Sequence, residues 1–205
     1  MFAIKELDKD IEATIKTESE DSLESNLELL GVTGLEDLLQ NNVAVTIKDF
    51  RLAGIKVWML TGDKGETAEN IGISCGLLDP EIHQVMKIIN NNVETIQTQL
   101  KKVSSQMVMN HIQSKNTDAC IMDQDTETEV CKEFSLLVDG TALPVIFKDA
   151  DLSDMLLTIF QHSNSVIVFR CSPDEKSQII KFVMRNDSKA FCCAIGDGAN
   201  DINMI

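Results

Sequence analysis

The sequence has no uninterrupted apolar run of about 18 residues, which is the length that a membrane-spanning helix needs. We therefore expect no membrane span within its 205 residues. It also has no C-x-x-C pair among its six cysteines and no recognisable signal peptide. These absences argue against a disulfide framework or a zinc site and predict a reducing, intracellular compartment. Cys192 and Cys193 lie in an apolar run, so we expect buried thiols there.

Positive charge is scarce, because 18 Lys and Arg residues stand against 33 Asp and Glu residues. The resulting net charge of −15 argues against nucleic acid or an anionic membrane surface as the main partner. Eleven of the acidic residues fall within the first 40 positions, which is typical of a solvated acidic helix. The three histidines have no metal-like spacing, and we expect them at the surface.

Apolar runs alternate with helical patterns along the chain. Four runs predict strands: IKVWML (55–60), SLLVDG (135–140), SVIVF (165–169) and AFCCAI (190–195). Continuous apolar character is typical of strands that are covered on both faces of a parallel sheet. The alternation with helices predicts βαβ units around such a sheet.

A helix is predicted directly after the third run, with Ser172 as its N-cap, Pro173 at N1 and Glu175 completing a capping box. Residues 79–134 are less regular and suggest a variable insertion. Within it, residues 83–89 could form a strand and Asn91 could cap a helix.

Three polar motifs follow three of the predicted strands: TGDK (61–64), RCSPDEK (170–176) and GDGAND (196–201). The carboxyl ends of the strands in an open α/β sheet form the ligand crevice. Motifs spread over about 140 residues of sequence should therefore meet at one place. Each motif alone could be a turn or an exposed helix start. Their combination, in this order, predicts a ligand-binding site at the carboxyl ends of the strands.

The residue types in these motifs suit phosphoryl transfer, in which a protein mainly positions and neutralises a phosphate. Asp197 and Asp201 offer hard oxygen ligands for Mg²⁺. Lys176 is a point charge for a phosphoryl oxygen. Arg170 could form two parallel hydrogen bonds with a phosphate or a carboxylate. Asn200 could donate to an oxygen or orient a neighbouring acid.

The first motif offers a hydroxyl and an open backbone. Thr61 supplies the hydroxyl, and Gly62 would let backbone N–H groups approach a phosphate closely. Asp63 could equally be a turn former, since Gly-Asp pairs are common in turns.

These motifs resemble the phosphorylation domain of a P-type ATPase. The resemblance lies in KVWMLTGDKGETAENIGISCGLL (56–78), FRCSPDEK (169–176) and AIGDGANDINMI (194–205). LELLGVTGLEDLLQ (27–40) is similar to the phospholipid-transporting branch, the P4 class or lipid flippases. The resemblance implies an α/β, haloacid-dehalogenase-like Rossmann fold, with a parallel sheet flanked by helices.

The same resemblance implies a domain organisation. Residues 1–30 would be the tail of a nucleotide-binding domain and a connecting helix. Residues 31–78 would be the first part of the phosphorylation domain, residues 79–134 the insertion, and residues 135–205 the second part.

The resemblance also assigns roles to matching residues. Those that would contact ATP and its phosphates are Thr61, Gly62, Asp63, Arg170, Lys176, Asn200 and Asp201. Asp197 and Asp201 would hold Mg²⁺. The implied partners are ATP, a phospholipid and an accessory β-subunit, and the implied location is the cytosolic face of a cellular membrane.

The chain departs from the family pattern in several places. It contains no D-K-T-G-T loop, whose aspartate is the nucleophile of the family, and no D-G-E-T loop. Leu38 stands where the family usually has a basic residue. We therefore expect part of a transport ATPase that does not turn over alone, with an incomplete sheet and unpaired strand edges.

Two alternatives remain open. One is a freestanding Mg²⁺- and nucleotide-binding module of the same fold without turnover. The other is a small phosphatase of that fold, for which Asp123 and Asp125 in DQDT (123–126) would be the candidate nucleophile motif.

Overall fold

The structure is a computed structural model, and it describes residues 2–6, 24–34, 38–90, 92–117 and 133–205. The chain forms two compact units, Met1–Leu38 and Leu39–Ile205. In the first unit, strand β1 (Phe2–Ile4) pairs in antiparallel orientation with strand β2 (Glu28–Gly31). The second unit contains all three polar motifs.

The second unit is built on a four-stranded parallel sheet. Its strands are β3 (Val57–Leu60), β4 (His83–Ile88), β5 (Glu133–Asp139) and β6 (Ser165–Phe169). Its helices are α1 (Val43–Leu52), α2 (Gly65–Ser74), α3 (Val93–Thr117), α4 (Leu143–Ile146), α5 (Ala150–His162) and α6 (Pro173–Asn186). The strand order is β3-β6-β5-β4, and every neighbouring pair is parallel. This arrangement confirms the predicted α/β, Rossmann-like fold.

The sheet has a hydrophobic core on each face. Because successive strand residues point to opposite faces, Val166 and Val168 of β6 lie in one core, and Ile167 and Phe169 lie in the other. The larger core includes apolar residues of α3, α5 and α6, whereas the smaller one includes Ala68 of α2. The continuous apolar runs of β5 and β6 are therefore explained by burial on both sides.

Strand β3 differs from the sequence-based expectation of complete coverage. All four of its residues are only half-buried, and its one partner strand among the described residues is β6. Within the described sheet it is an edge strand, so its outer ladder of N–H and C=O groups faces away from β6.

Helix α2 packs closely against β6 because Gly72 has no side chain. A Cβ atom at this position would lie 2.5 Å from Ile167 Cδ1 and 3.1 Å from Leu78 Cδ1. The glycine therefore sets the distance between helix and sheet.

A buried polar network links the amino ends of β4, β5 and β6. The Ser135 hydroxyl lies 3.1 Å from His83 Nδ1 and 2.8 Å from the Ser165 hydroxyl, which in turn donates to the Leu77 carbonyl at 3.0 Å. The Asp79 N–H also donates to His83 Nδ1, at 3.0 Å. Our expectation of a surface His83 is thus wrong, because these partners satisfy its ring inside the fold.

Residues 190–195 do not form the predicted strand. Phe191 is 100% exposed and Ile195 is 81% exposed. A strand is stable only when a neighbour completes its hydrogen bonds, and within the described sheet this segment joins neither edge strand. Cys192 and Cys193 are exposed for the same reason, so their expected burial is also wrong.

Part of the expected insertion contributes to the sheet. Strand β4 confirms the strand predicted at residues 83–89, and α3 follows it. The Asn92 carboxamide oxygen accepts a hydrogen bond from the Glu94 N–H at 2.9 Å. Asn91, Asp123 and Asp125 lie outside the described residues, and the domain boundaries stay predictions. No helix in the described ranges has the length and apolar character that crossing a membrane requires.

Candidate functional site

The first two motifs are joined by backbone hydrogen bonds, because the β3–β6 ladder continues beyond the strand ends. The Thr61 N–H donates to the Val168 carbonyl at 2.9 Å. The Arg170 N–H then donates to the Asp63 carbonyl at 2.8 Å, and the Cys171 N–H to the Thr61 carbonyl at 2.9 Å. The carboxyl ends of two neighbouring strands thus present both motifs side by side, as the sequence predicted.

The first motif closes on itself as a compact turn. The Thr61 hydroxyl donates to Asp63 Oδ2 at 2.7 Å, and the Asp63 N–H donates back to that hydroxyl at 3.1 Å. Gly62 between them is exposed, and a Cβ there would meet only the Cys171 carbonyl oxygen, at 3.7 Å. The backbone of Gly62 is therefore open to close approach by a ligand.

The second motif begins α6 with the predicted capping box. The Ser172 hydroxyl accepts from the Glu175 N–H at 3.3 Å, and Glu175 Oε2 accepts from the Ser172 N–H at 2.7 Å. Pro173 occupies the start of the helix, where its missing N–H costs nothing. The capped first turn fixes the position from which Lys176 projects.

Lys176 joins the second motif to the third. Its ammonium group donates to Asp201 Oδ1 at 2.7 Å, and both residues are buried. The hydrogen bond from Lys176 lowers the pKa of the Asp201 carboxyl, burial works in the opposite direction, and the Gly198 N–H on Oδ2 adds to the lowering. Asp201 is therefore held as a carboxylate.

Two glycines allow the third motif to fold around Asp201. A Cβ atom at Gly196 would lie 2.4 Å from the Asp201 Cβ, and one at Gly198 would lie 2.2 Å from Asn200 Oδ1. Ala199–Asp201 form a 3₁₀ turn, while the side chains of Asp197 and Asn200 remain exposed. Larger residues in place of either glycine would open the turn.

The donor chemistry of this turn fits Mg²⁺. This ion is typically held by one or two carboxylates together with waters and substrate phosphates. Asp201 is ionised and Asp197 is exposed in the same short loop. Within the described residues, no group of three or more His, Cys, Asp or Glu side chains could hold a metal ion. Asp197 and Asp201 are the two carboxylates of the GDGAND loop that would hold the ion.

Sequence reasoning missed Asp139, which ends strand β5. Its carboxylate is completely buried. Arg170 Nε donates to its Oδ1 at 3.2 Å, and Arg170 Nη2 forms an ion pair with its Oδ2. Thr141 donates to the same Oδ1 through its N–H at 3.1 Å and its hydroxyl at 2.8 Å. The signal was present in the sequence, because Asp139 follows an apolar run in the same way as the three motifs.

Arg170 also lines a cavity of about 550 Å³ at the carboxyl ends of the strands. Lys64 and Lys87 contribute to its wall, and Lys87 forms an ion pair with Glu69 at 2.6 Å. The Arg170 guanidinium carbon lies 5.5 Å from the centre of the Phe169 ring, within the range of a cation–π contact.

Comparison with known proteins identifies the family. No protein-family model matches the chain. It is 36% identical over 190 residues to the phospholipid-transporting ATPase DRS2 of Saccharomyces cerevisiae, covering 92% of this chain and 13% of that protein. It is 33% identical over 192 residues to the probable phospholipid-transporting ATPase IM of Homo sapiens, covering 90% and 16%. For the phospholipid-transporting ATPase VB of Homo sapiens, the identity is 37% over 201 residues, covering 92% and 13%.

The chain belongs to the P4 class of P-type ATPases. It spans no more than 16% of the length of these three relatives.

In this P4 ATPase chain, the predicted site residues fall into two groups. Thr61, Gly62 and Asp63 are tied to Arg170 by the β3–β6 backbone, and Lys176 is tied to Asp201, whose loop also carries Asp197 and Asn200. Among the described residues, no hydrogen bond or ion pair joins one group directly to the other. Their roles toward ATP and Mg²⁺ stay predictions.

Proposed function

We propose that this chain supplies ATP-phosphate and Mg²⁺ contacts of an ATP-driven phospholipid-translocating P-type ATPase, at the cytosolic face of a membrane. The observation that carries the proposal is the buried Lys176–Asp201 ion pair at 2.7 Å. Desolvating two charges is costly, and apolar residues of similar size often stabilise a fold equally well. A buried ion pair that joins two of the predicted phosphate-binding motifs therefore supports a role in phosphoryl transfer.

Each of these residues would have a separate role in phosphoryl transfer. Lys176 would neutralise a phosphate oxygen, and Asp201 with Asp197 would hold Mg²⁺. The ion, when bound, would neutralise charge on the transferred phosphate. The turn at Thr61–Asp63 would place the Gly62 backbone N–H beside the nucleotide, and Asn200 would donate to the phosphate.

Formation of an aspartyl phosphate also needs a nucleophile, and the 205 residues contain no D-K-T-G-T loop. The outer edge of β3 supports the proposal, because a further parallel strand could join the sheet beside Thr61. The phospholipid and an accessory β-subunit would bind other parts of the whole transporter.

Calorimetry of the 205-residue chain with Mg²⁺ and the non-hydrolysable analogue AMPPNP tests the proposed contacts. We expect binding by the wild type, and a loss of at least roughly tenfold in affinity for Asp201→Asn, since a charge-assisted contact is removed. Asp154→Asn, on the exposed face of α5, is the control for the same change in net charge. A folded wild type that shows no heat at millimolar ligand would reject the proposal.

The second candidate is a freestanding Mg²⁺- and nucleotide-binding module without turnover. The buried Lys176–Asp201 pair would serve such a module as well, because binding Mg²⁺ and a nucleotide requires no nucleophile. The full transcript distinguishes the two. The transporter predicts an in-frame D-K-T-G-T motif upstream and membrane-spanning segments downstream, whereas the module predicts neither.

A further inference from the structure

We propose that Asp139 is a positioning residue, which orients the Arg170 guanidinium for the phosphates of the bound nucleotide. The inference rests on the proposed function, because it assumes that Arg170 contacts the nucleotide. It adds a third strand end, that of β5, to those of β3 and β6.

The burial of Asp139 is the first observation. Its exposure is 0%, whereas the side chain of Arg170 is 48% exposed. Two groups of Arg170 and two of Thr141 point at this one carboxylate. A buried charge requires such compensation, and an apolar residue at the end of β5 would avoid the cost altogether. The carboxylate caps the turn that follows β5 and also holds Arg170, so packing alone does not explain it.

The backbone provides the second observation. Arg170 has a φ of +53°, a left-handed conformation that is uncommon outside glycine. A Cβ atom at Gly140 would lie 2.7 Å from the Arg170 carbonyl oxygen, so only a glycine admits this turn. Both residues therefore fix Arg170. The Asp139 carboxylate holds its guanidinium, and Gly140, which has no side chain, leaves room for its backbone.

The consequence concerns the remaining N–H groups of the guanidinium. Arginine carries five of them in a rigid fork, and Asp139 engages Nε and Nη2. The side chain of Arg170 is 48% exposed, and Arg170 is one of the residues that line the cavity of about 550 Å³. A guanidinium already fixed on one side loses less conformational freedom when a phosphate binds on the other.

Nuclear magnetic resonance can observe this orientation directly, because the chain has only three arginines, Arg51, Arg170 and Arg185. We expect the Arg170 Nε–H resonance of the wild-type chain to be protected from solvent exchange. In Asp139→Asn this protection should be lost. An unprotected Arg170 resonance in the wild type would overturn the proposal without the need for any variant.

The affinity for Mg²⁺·AMPPNP supplies the functional measurement. We expect Asp139→Asn to weaken binding roughly tenfold relative to Asp154→Asn, because an unrestrained side chain must be ordered on binding. In an Arg170→Ala background, Asp139→Asn should change the affinity no further. Thermal unfolding shows whether each variant is folded.

The outcomes separate the two proposals. Equal or tighter binding by Asp139→Asn, beside a wild type that binds, overturns the positioning role and leaves the proposed function intact. An additive loss in the Arg170→Ala background does the same, because Asp139 would then act independently. No binding by the folded wild type rejects the proposed function and the positioning role together.

Discussion

Lys176 Nζ lies 2.7 Å from Asp201 Oδ1, and this contact joins the first turn of α6 to a loop 25 residues further along the chain. Both partners are buried, so the folded state fixes their charges in a place from which most water is excluded. The stability of the chain should therefore depend on the protonation of Asp201.

Replacing Lys176 by Met should lower the free energy of unfolding at neutral pH, because Asp201 remains buried without its partner. Folding lowers the pKa of Asp201, so the ion pair stabilises the folded state above the unfolded pKa of about 3.9 and loses this effect as the pH falls through the folded value. We expect the difference in free energy of unfolding between wild type and Lys176→Met to shrink below about pH 3.9.

Urea unfolding at neutral pH and at about pH 3 measures this difference. Lys181→Met removes an exposed lysine from the same helix and serves as the control. A difference between wild type and Lys176→Met that stays constant over this range would contradict the prediction.

Loss of the Ser172 cap should destabilise α6. Ser172→Ala removes the acceptor of the Glu175 N–H, and we expect a cost of about 1 kcal/mol in the free energy of unfolding. Ser172→Asp keeps an acceptor at the N-cap and should retain most of the stability. Equal destabilisation by both substitutions would show that the hydroxyl contributes through something other than capping.

A methyl group at Gly72 should force α2 away from β6. We expect Gly72→Ala to cost about 1–3 kcal/mol, since the new Cβ would lie 2.5 Å from Ile167 Cδ1. Ile167→Val removes that methyl group and should partly rescue the variant in a double-mutant cycle. If urea unfolding shows that the two substitutions lower the free energy of unfolding additively, the new methyl group does not clash with Ile167.

The cysteines should differ in reactivity in the native chain. Burial raises the pKa of the Cys171 thiol to about 12, with the nearby Glu175 charge adding to the rise, whereas Cys192 and Cys193 are exposed. At about pH 8 only about one Cys171 in ten thousand would be a thiolate, so iodoacetamide should modify it last. Peptide mass spectrometry checks the order, and in urea Cys171 should react like the exposed pair.

The pattern of apolar residues, and the rule that the carboxyl ends of parallel strands meet at one edge of the sheet, predicted much of this fold. The apolar runs at β5 and β6, the capping box at Ser172 and the convergence of the first two motifs follow from local sequence rules. Such rules work because they depend on residues close in the chain or on the shared direction of parallel strands.

Other features depend on which partner a residue meets. AFCCAI (190–195) has the composition of a strand but lacks a neighbouring ladder, so its composition alone misled us. His83 is buried because Ser135 from β5 satisfies its ring. Asp139 gains its role only through Arg170, 31 residues away in sequence. Single-residue patterns do not encode these long-range pairings.

The edge position of β3 has a consequence for work with the purified chain. Val57–Leu60 are apolar, and the outer N–H and C=O groups of this strand can pair with any extended segment that approaches. The same ladder on a second molecule is such a segment, so concentrated solutions should favour self-association through this strand. Dilution series and a charged substitution within Val57–Leu60 therefore belong beside every binding measurement on this chain.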